Sequence, residues 1–371
     1  NSVSATLGDV LVQSNGAGNA LAVNLGAGSQ INAATVGTGD IFFNPTAAGN
    51  ISVSGGPANG LLNAGNTVSY GGGTVTTDVN QINGCVVSNG LTVTTASITT
   101  ASGDLNVGPF TSSGTTSFTS NGAGANLITC GDINSGAGNL TLTAGGTGAA
   151  DVRINNNVTT TGTLGINSGA GVNSDVTVAT GATVSGGTTT VTTPSLVVNG
   201  TGIVRSTGAG ADLQISSNAP GNVLNVALNG PTSTLQSNNG NVNFNTPLVP
   251  GAITVTGGPA NGVITANGGN GLANFNGGLT NAVNVSVNQI NACIAGTGTP
   301  FNVAVGQASI LGDVRVGPVT SNGDLNFTSP ANLLVCDDLR SNGGNINLTS
   351  GNGAANLIGF AANADLFANN N

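Results

Sequence analysis

Residues Gly312–Leu357 read GDVRVGPVTSNGDLNFTSPANLLVCDDLRSNGGNINLTSGNGAANL. Within this stretch, apolar residues alternate with polar ones in short runs: Val314 and Val316, Leu325 and Phe327, Ile346 and Leu348. Gly and Asn separate one run from the next. Alternation with period two and a turn signal every few residues is strand patterning. No helical stripe of period 3.6 runs through it. Gly103–Val152 is an imperfect copy of the same text. The chain therefore reads as one unit, a strand and a turn, used many times.

Working outward, the whole 371-residue chain keeps this style. It holds 62 Gly, 38% hydrophobic residues and only 5% charged residues. Disordered chains avoid apolar residues and carry high net charge; here small and β-branched apolar residues are spread evenly, which suits strands and a thin continuous core. The absences narrow the class further. All four cations are arginines (Arg153, Arg205, Arg315, Arg340), all thirteen acids are aspartates, and His, Met and Trp are missing. Without Lys, Glu and Met the strong helix formers are gone. A net charge of −9 with four scattered arginines cannot neutralise a run of phosphates, which argues against nucleic acid and anionic lipid as partners. No apolar run of about 18 residues exists, so no membrane insertion is expected. The start, NSVSATLGDV, lacks the basic and apolar parts of a signal peptide and does not begin with Met. Leader removal, excision from a longer precursor or truncation each account for that.

Self-similarity at long range is plain. GGPANG occurs at Gly55–Gly60 and Gly257–Gly262. VNQIN followed by Gly or Ala and then Cys occurs at Val79–Cys85 and Val287–Cys293. GD-x-x-VGP recurs at Gly103–Pro109 and Gly312–Pro318, ANL-x-x-C at Ala125–Cys130 and Ala331–Cys336, and IFFNP at Ile41 has an echo in VNFNTP at Val242. The offset between copies drifts a little from motif to motif, so insertions sit in turns. Two long repeats follow, 1–202 and 203–371, continuous with one another. The expected fold is all-β, a right-handed parallel β-helix (β-solenoid); two stacked β-sandwich domains are the alternative. The solenoid is preferred because a second copy without a linker extends a coil smoothly, small core residues fit a narrow interior, and Asn and Thr stack as ladders. A lap of about 20–22 residues gives roughly 16–18 laps. Asn-Gly pairs, among them those at Asn59, Asn89, Asn121, Asn199, Asn322 and Asn342, suit backbone positions that need positive φ.

Chemistry-bearing residues are few. Cys85 and Cys130 are 45 apart in the chain, and their counterparts Cys293 and Cys336 are 43 apart. Matched places favour one disulfide per half. Two laps on one face lie about 9.6 Å apart, and a bridge needs Cα atoms within about 7 Å. A bridge then requires one Cys on a loop or a longer lap; buried free thiols and cross-links between molecules are the other readings. Without His, Lys or Glu there is no catalytic triad, Schiff-base lysine or His-ligated metal, so no catalytic residue, cofactor or metal site is assigned. Asp337 and Asp338, beside Arg340, form a candidate carboxylate pair, but the first copy has Gly131-Asp132 there, and a solvated turn is the plainer reading. Gly145–Val152 and Gly208–Leu213 faintly resemble calcium-binding nonapeptides, with too few aspartates to work as such. Thr-x-Thr pairs (Thr74–Thr77, Leu91–Thr95, Thr141–Thr143, Thr188–Thr193) resemble ice-binding arrays, although their irregular spacing fits an ordinary exposed sheet face. Asn-x-Ser/Thr acceptors at Asn50, Asn139, Asn157, Asn199, Asn284, Asn326 and Asn347 are no more than composition predicts.

Thr320–Ser329, Ser341–Leu357 and Gly136–Gly146 resemble the repeats of bacterial surface proteins: filamentous-haemagglutinin-type exoproteins and β-strand-repeat relatives of autotransporter passengers. The resemblance is one of repeat style. Of the secretion-domain signature of two-partner exoproteins, only Asn44-Pro45 is present as a fragment. What the resemblance implies is export, a right-handed β-helix and a structural or adhesive role; it transfers no catalytic residue. The expectation is an extracellular or cell-surface structural protein, a non-enzymatic rod that self-assembles into a fibre or sheath as a homopolymer. The alternative is an adhesin segment that binds glycans or other cell-surface components.

Overall fold

The computed structural model describes residues 2–16, 18–33, 37–44, 49–90, 92–351 and 357–369. Pro45 of the Asn44-Pro45 fragment, Leu91 of one Thr-x-Thr segment and residues 352–356 of the C-terminal repeat lie outside them. The fold is all-β: a parallel β-solenoid, with one 3-10 turn at Asn267–Gly269 as the only helical element among the described residues. Two compact units divide the chain, Asn1–Val176 and Thr177–Asn371. The repeat boundary read from sequence at 202/203 falls inside the second unit.

Alternation decides which side chains go in. In the strand Leu140–Ala144, residues 140, 142 and 144 are buried while Thr141 and Thr143 face outward. The strand Leu325–Ser329 follows the same rule. In the first unit, Leu21–Asn24, Ile51–Ser54, Gly73–Val79, Val93–Thr100, Thr116–Ser120, Leu140–Ala144 and Thr163–Asn167 stack along one face, each parallel to the next. In the second, Ser195–Asn199, Leu224–Asn229, Ile253–Thr256, Val283–Val287, Phe301–Val305, Leu325–Ser329 and Ile346–Ser350 do the same. A narrower face carries Phe110–Thr111, Ile133–Asn134 and Val158–Thr159 in the first unit. Its counterpart in the second runs from Thr183–Gly186 through Ile203–Ser206, Thr234–Ser237 and Val263–Ala266 to Gln289–Asn291.

Lap length varies more widely than the expected figure of about 20–22 residues. Val283 registers with Phe301 at an offset of 18. Phe301 registers with Leu325 at 24, and Gln30 with Leu61 at 31. Fewer laps than expected result. Much of the difference lies in the turns. From Val283 the lap turns on Asn288, Ala292 and residues 298–300, whereas the lap from Leu224 uses loops 230–233, 238–241 and 245–252.

Register stacks like on like in the core. Val53, Thr77, Ile98, Phe118, Leu142 and Ile166 form one inward column. Phe244 stacks on Phe275 with ring centroids 4.6 Å apart, and Phe301 and Phe327 continue the aromatic run. Each such side chain contributes about 1.5–3 kcal/mol by leaving water. Thr77, polar and buried in its column, donates from Oγ1 to the Tyr70 hydroxyl at 3.0 Å. Tyr70 in turn stacks on Phe43 at 5.3 Å.

The repeated motifs turn out to be one stack. Gly55 and Gly56 donate their N–H groups to the Asp78 carbonyl, and Gly257 and Gly258 donate to that of Ser286. On the next lap, Asn80 and Gln81 donate to Asn59 and Gly60, as Asn288 and Gln289 do to Asn261 and Gly262. GGPANG thus underlies VNQIN in both units. Among the Asn-Gly pairs singled out above, Gly60, Gly90 and Gly200 take positive φ and Gly122, Gly323 and Gly343 do not. Gly122 is needed for space instead, since an added Cβ would lie 2.9 Å from the Ser102 Cα.

Candidate functional site

The aspartates explain themselves at the corners of the coil. Where a turn enters a strand, the backbone N–H of one lap finds a carboxylate or amide oxygen from the lap beneath. Asp104 Oδ1 accepts from Asn126 N at 2.8 Å, Asn126 Oδ1 from Asp151 N at 3.0 Å and Asp151 Oδ1 from Asp175 N at 3.0 Å. Asp9, Asp40, Asp132, Asp212, Asp324 and Asp338 each accept from the next lap in the same way. A short side chain held close to the backbone meets this requirement, and a longer Glu would overshoot.

This use occupies the candidate carboxylates. Asp337 Oδ1 accepts from Asp338 N at 2.8 Å and Asp338 Oδ1 from Asp365 N at 3.0 Å, while Arg340 Nε donates to Asn342 Oδ1. Asp151 in the first calcium-like segment pairs with Arg153 at 3.0 Å, and Asp212 in the second accepts from Asn243 Nδ2 through its other oxygen. Among the described residues no cluster of three or more His, Cys, Asp or Glu could hold a metal ion. The Thr-x-Thr pairs are more regular in space than in sequence. Register lines up Ser52, Thr76, Ser97, Ser117 and Thr141 in one outward column, and Ser54, Asp78, Thr99, Thr119 and Thr143 in the next.

The structure joins Cys85 to Cys130 and Cys293 to Cys336, with Cα separations of 6.5 and 7.3 Å. Cys85 registers with Asn106, and Asn106 with Ile128, so the first bridge crosses an intermediate lap. Cys130 and Cys336 each sit just past a strand. The middle lap supplies the Gly of the VGP motif. Both sulfurs of the first bridge lie against the Gly108 carbonyl, and both of the second against that of Gly317. Gly108 has φ of 110° and Gly317 of 111°. A Cβ on Gly108 would fall 2.2 Å from the Gly131 carbonyl oxygen, and one on Gly317 would fall 2.4 Å from that of Asp337. Laps approach here more closely than side chains permit; Cys85 and Cys130 come within the usual bridging distance, and Cys293 and Cys336 lie just beyond it.

An open groove marks one outward face of the second unit. On successive laps Asn284, Asn302, Asn326 and Asn347 stand in register and face outward. Their amides form a ladder: Asn302 Nδ2 donates to Asn284 Oδ1 at 2.8 Å, Asn326 to Asn302 at 2.7 Å and Asn347 to Asn326 at 2.7 Å. Two residues further along each strand a second column holds Ser286, Ala304 and Thr328. Because these are small, an open groove of about 300 Å³ runs between the columns over four laps, from Thr254 and Thr256 to Asn326 and Thr328. Val255, Val285 and Val303 lie along its floor. A similar but shorter ladder, Asn32–Asn63–Asn83, lies in the first unit.

Sequence reasoning noticed Asn284, Asn326 and Asn347 only as glycan acceptors. Asn-x-Ser/Thr is the text that two adjacent outward columns write when one is amide and the other hydroxyl. Asn302, followed by Val303 and Ala304, belongs to the ladder without that signature. The unequal lap lengths hid the register that joins the four. Comparison with family models, with curated proteins and with solved structures found no match to this chain.

Proposed function

We propose that this chain is a structural β-solenoid of an extracellular or cell-surface assembly, non-enzymatic, and that it associates with further copies of itself. One observation carries the reading: the polar side chains are turned to holding lap to lap. The corner carboxylates take backbone N–H groups of the next lap, and the asparagines hydrogen-bond one another. A surface built this way is self-complementary, since any lap left uncovered offers the same ladder to a second copy. The absence of Lys and Glu removes the charges that ordinarily guard strand edges against such pairing. Two disulfides suit an oxidising compartment. Negative-stain electron microscopy of purified protein tests the proposal: uniform filaments or sheets are expected, and strictly monodisperse particles at high concentration would refute it.

A second reading, an adhesin segment that binds glycans or cell-surface components, is favoured by the groove along Asn284, Asn302 and Asn326.

A further inference from the structure

We infer that the groove of the second unit binds a neutral, linear β-linked polysaccharide lying across the strands, one sugar per lap. The inference rests on the adhesive reading and deepens it. The first argument is spacing. Successive laps repeat at about 4.8 Å, the separation of hydrogen-bonded strands. In an extended β-linked chain each pyranose advances by close to one lap, so a sugar falls on every lap, with successive sugars turned over and like faces recurring on every second lap. An extended peptide is out of step: its residues rise about 3.3 Å and its like-facing side chains repeat at about 6.6 Å.

The second argument is chemistry. Within the ladder each interior amide uses one N–H and one carbonyl lone pair on its neighbours. An amide has two N–H donors and two lone pairs, so one of each is left per lap to meet a sugar hydroxyl. The facing column supplies hydroxyls from Ser286 and Thr328 and a methyl from Ala304. Alternating polar groups and methyls match the equatorial hydroxyls and C–H faces of a pyranose. The third argument is charge. Among the described residues no charged one lines the groove, and the chain carries −9 overall, which disfavours uronate or sulfated polymers.

The test uses the full chain, sedimented with insoluble cellulose, chitin and β-1,3-glucan, and separately with calcium alginate beads as the anionic control. Retention on at least one neutral polymer and little on alginate is expected. Ala304→Trp fills the groove from an exposed position and should lower the retained fraction at least tenfold with an unchanged thermal melt. Thr328→Tyr, on the same column, should act likewise and guards against a folding defect in the first variant. Thr141→Trp, on an outward face of the first unit, should leave retention unchanged. Retention that Ala304→Trp and Thr328→Tyr do not alter would overturn the groove assignment and leave the adhesive reading standing. No retention on any neutral polymer, or equal retention on alginate, would overturn the inference.

Discussion

At the scale of single residues, the chain answers constraints of space and reach rather than of catalysis. Gly108 and Gly317 occur where a neighbouring backbone approaches to a distance no Cβ tolerates. Every acid is an aspartate, and at the corners, as at Asp104, Asp151 and Asp338, the N–H of the next lap lies one short side chain away. Tyr70 is the single tyrosine. Burial pushes its phenol well above the ordinary range, and the hydrogen bond from Thr77 offsets this only in part. The sign follows from which form is favoured: the folded state holds the neutral phenol. This contribution is complete below about pH 10, the phenol's value in an unfolded chain, and is lost as pH rises above it. In an ultraviolet titration, the folded protein should show no phenolate step near pH 10, and the step should appear once the protein is unfolded. A normal step in the folded protein would mean that Tyr70 is not buried against Phe43.

At the scale of elements, strand alternation was legible from the first line of sequence, whereas the pairing between strands was not. Leu325–Ser329 announces itself by Leu325 and Phe327. Nothing in the text says that Asn326 stands over Asn302, because that pair is offset by 24 and the pair below it by 18. The ladder has a measurable consequence. Asn302→Ala removes a donor to Asn284 and an acceptor from Asn326. Water replaces part of both bonds at this half-exposed site, so the expected loss is about 1 kcal/mol. Chemical denaturation reads it as a lower midpoint at unchanged slope. No change would mean that the ladder is a surface ornament without cohesive value.

At the scale of the whole molecule, each unit is a run of laps in which every lap touches only its neighbours. Stability in such a body is close to a sum of nearest-neighbour terms. The disulfides depart from that rule because each spans an intermediate lap. Peptide mapping without reduction should find Cys85 linked to Cys130 and Cys293 to Cys336. Replacing Cys85 and Cys130 together by Ser opens a loop with a sequence separation of 45, a loss of about 2–4 kcal/mol. Hydrogen exchange should place that loss in the laps around Val86, Val107 and Thr129, and leave protection in the laps near Ile166 almost unchanged. Loss of protection throughout the first unit would contradict nearest-neighbour stability.

The sequence by itself determined the all-β class with its short alternating strands and the recurrence of GGPANG, VNQIN, VGP and ANL-x-x-C, and it favoured a solenoid over stacked sandwiches. These depend on local alternation and local turn chemistry, which a chain carries in its text. Tertiary structure alone decided which residues became neighbours across laps: the corner aspartates with their N–H partners, Cys85 with Cys130, and the four asparagines of the groove. The physical reason is that turns of different length change the distance along the chain between stacked strands without changing the distance in space. Contact across laps therefore follows from strand pairing, and no fixed interval in the sequence encodes it.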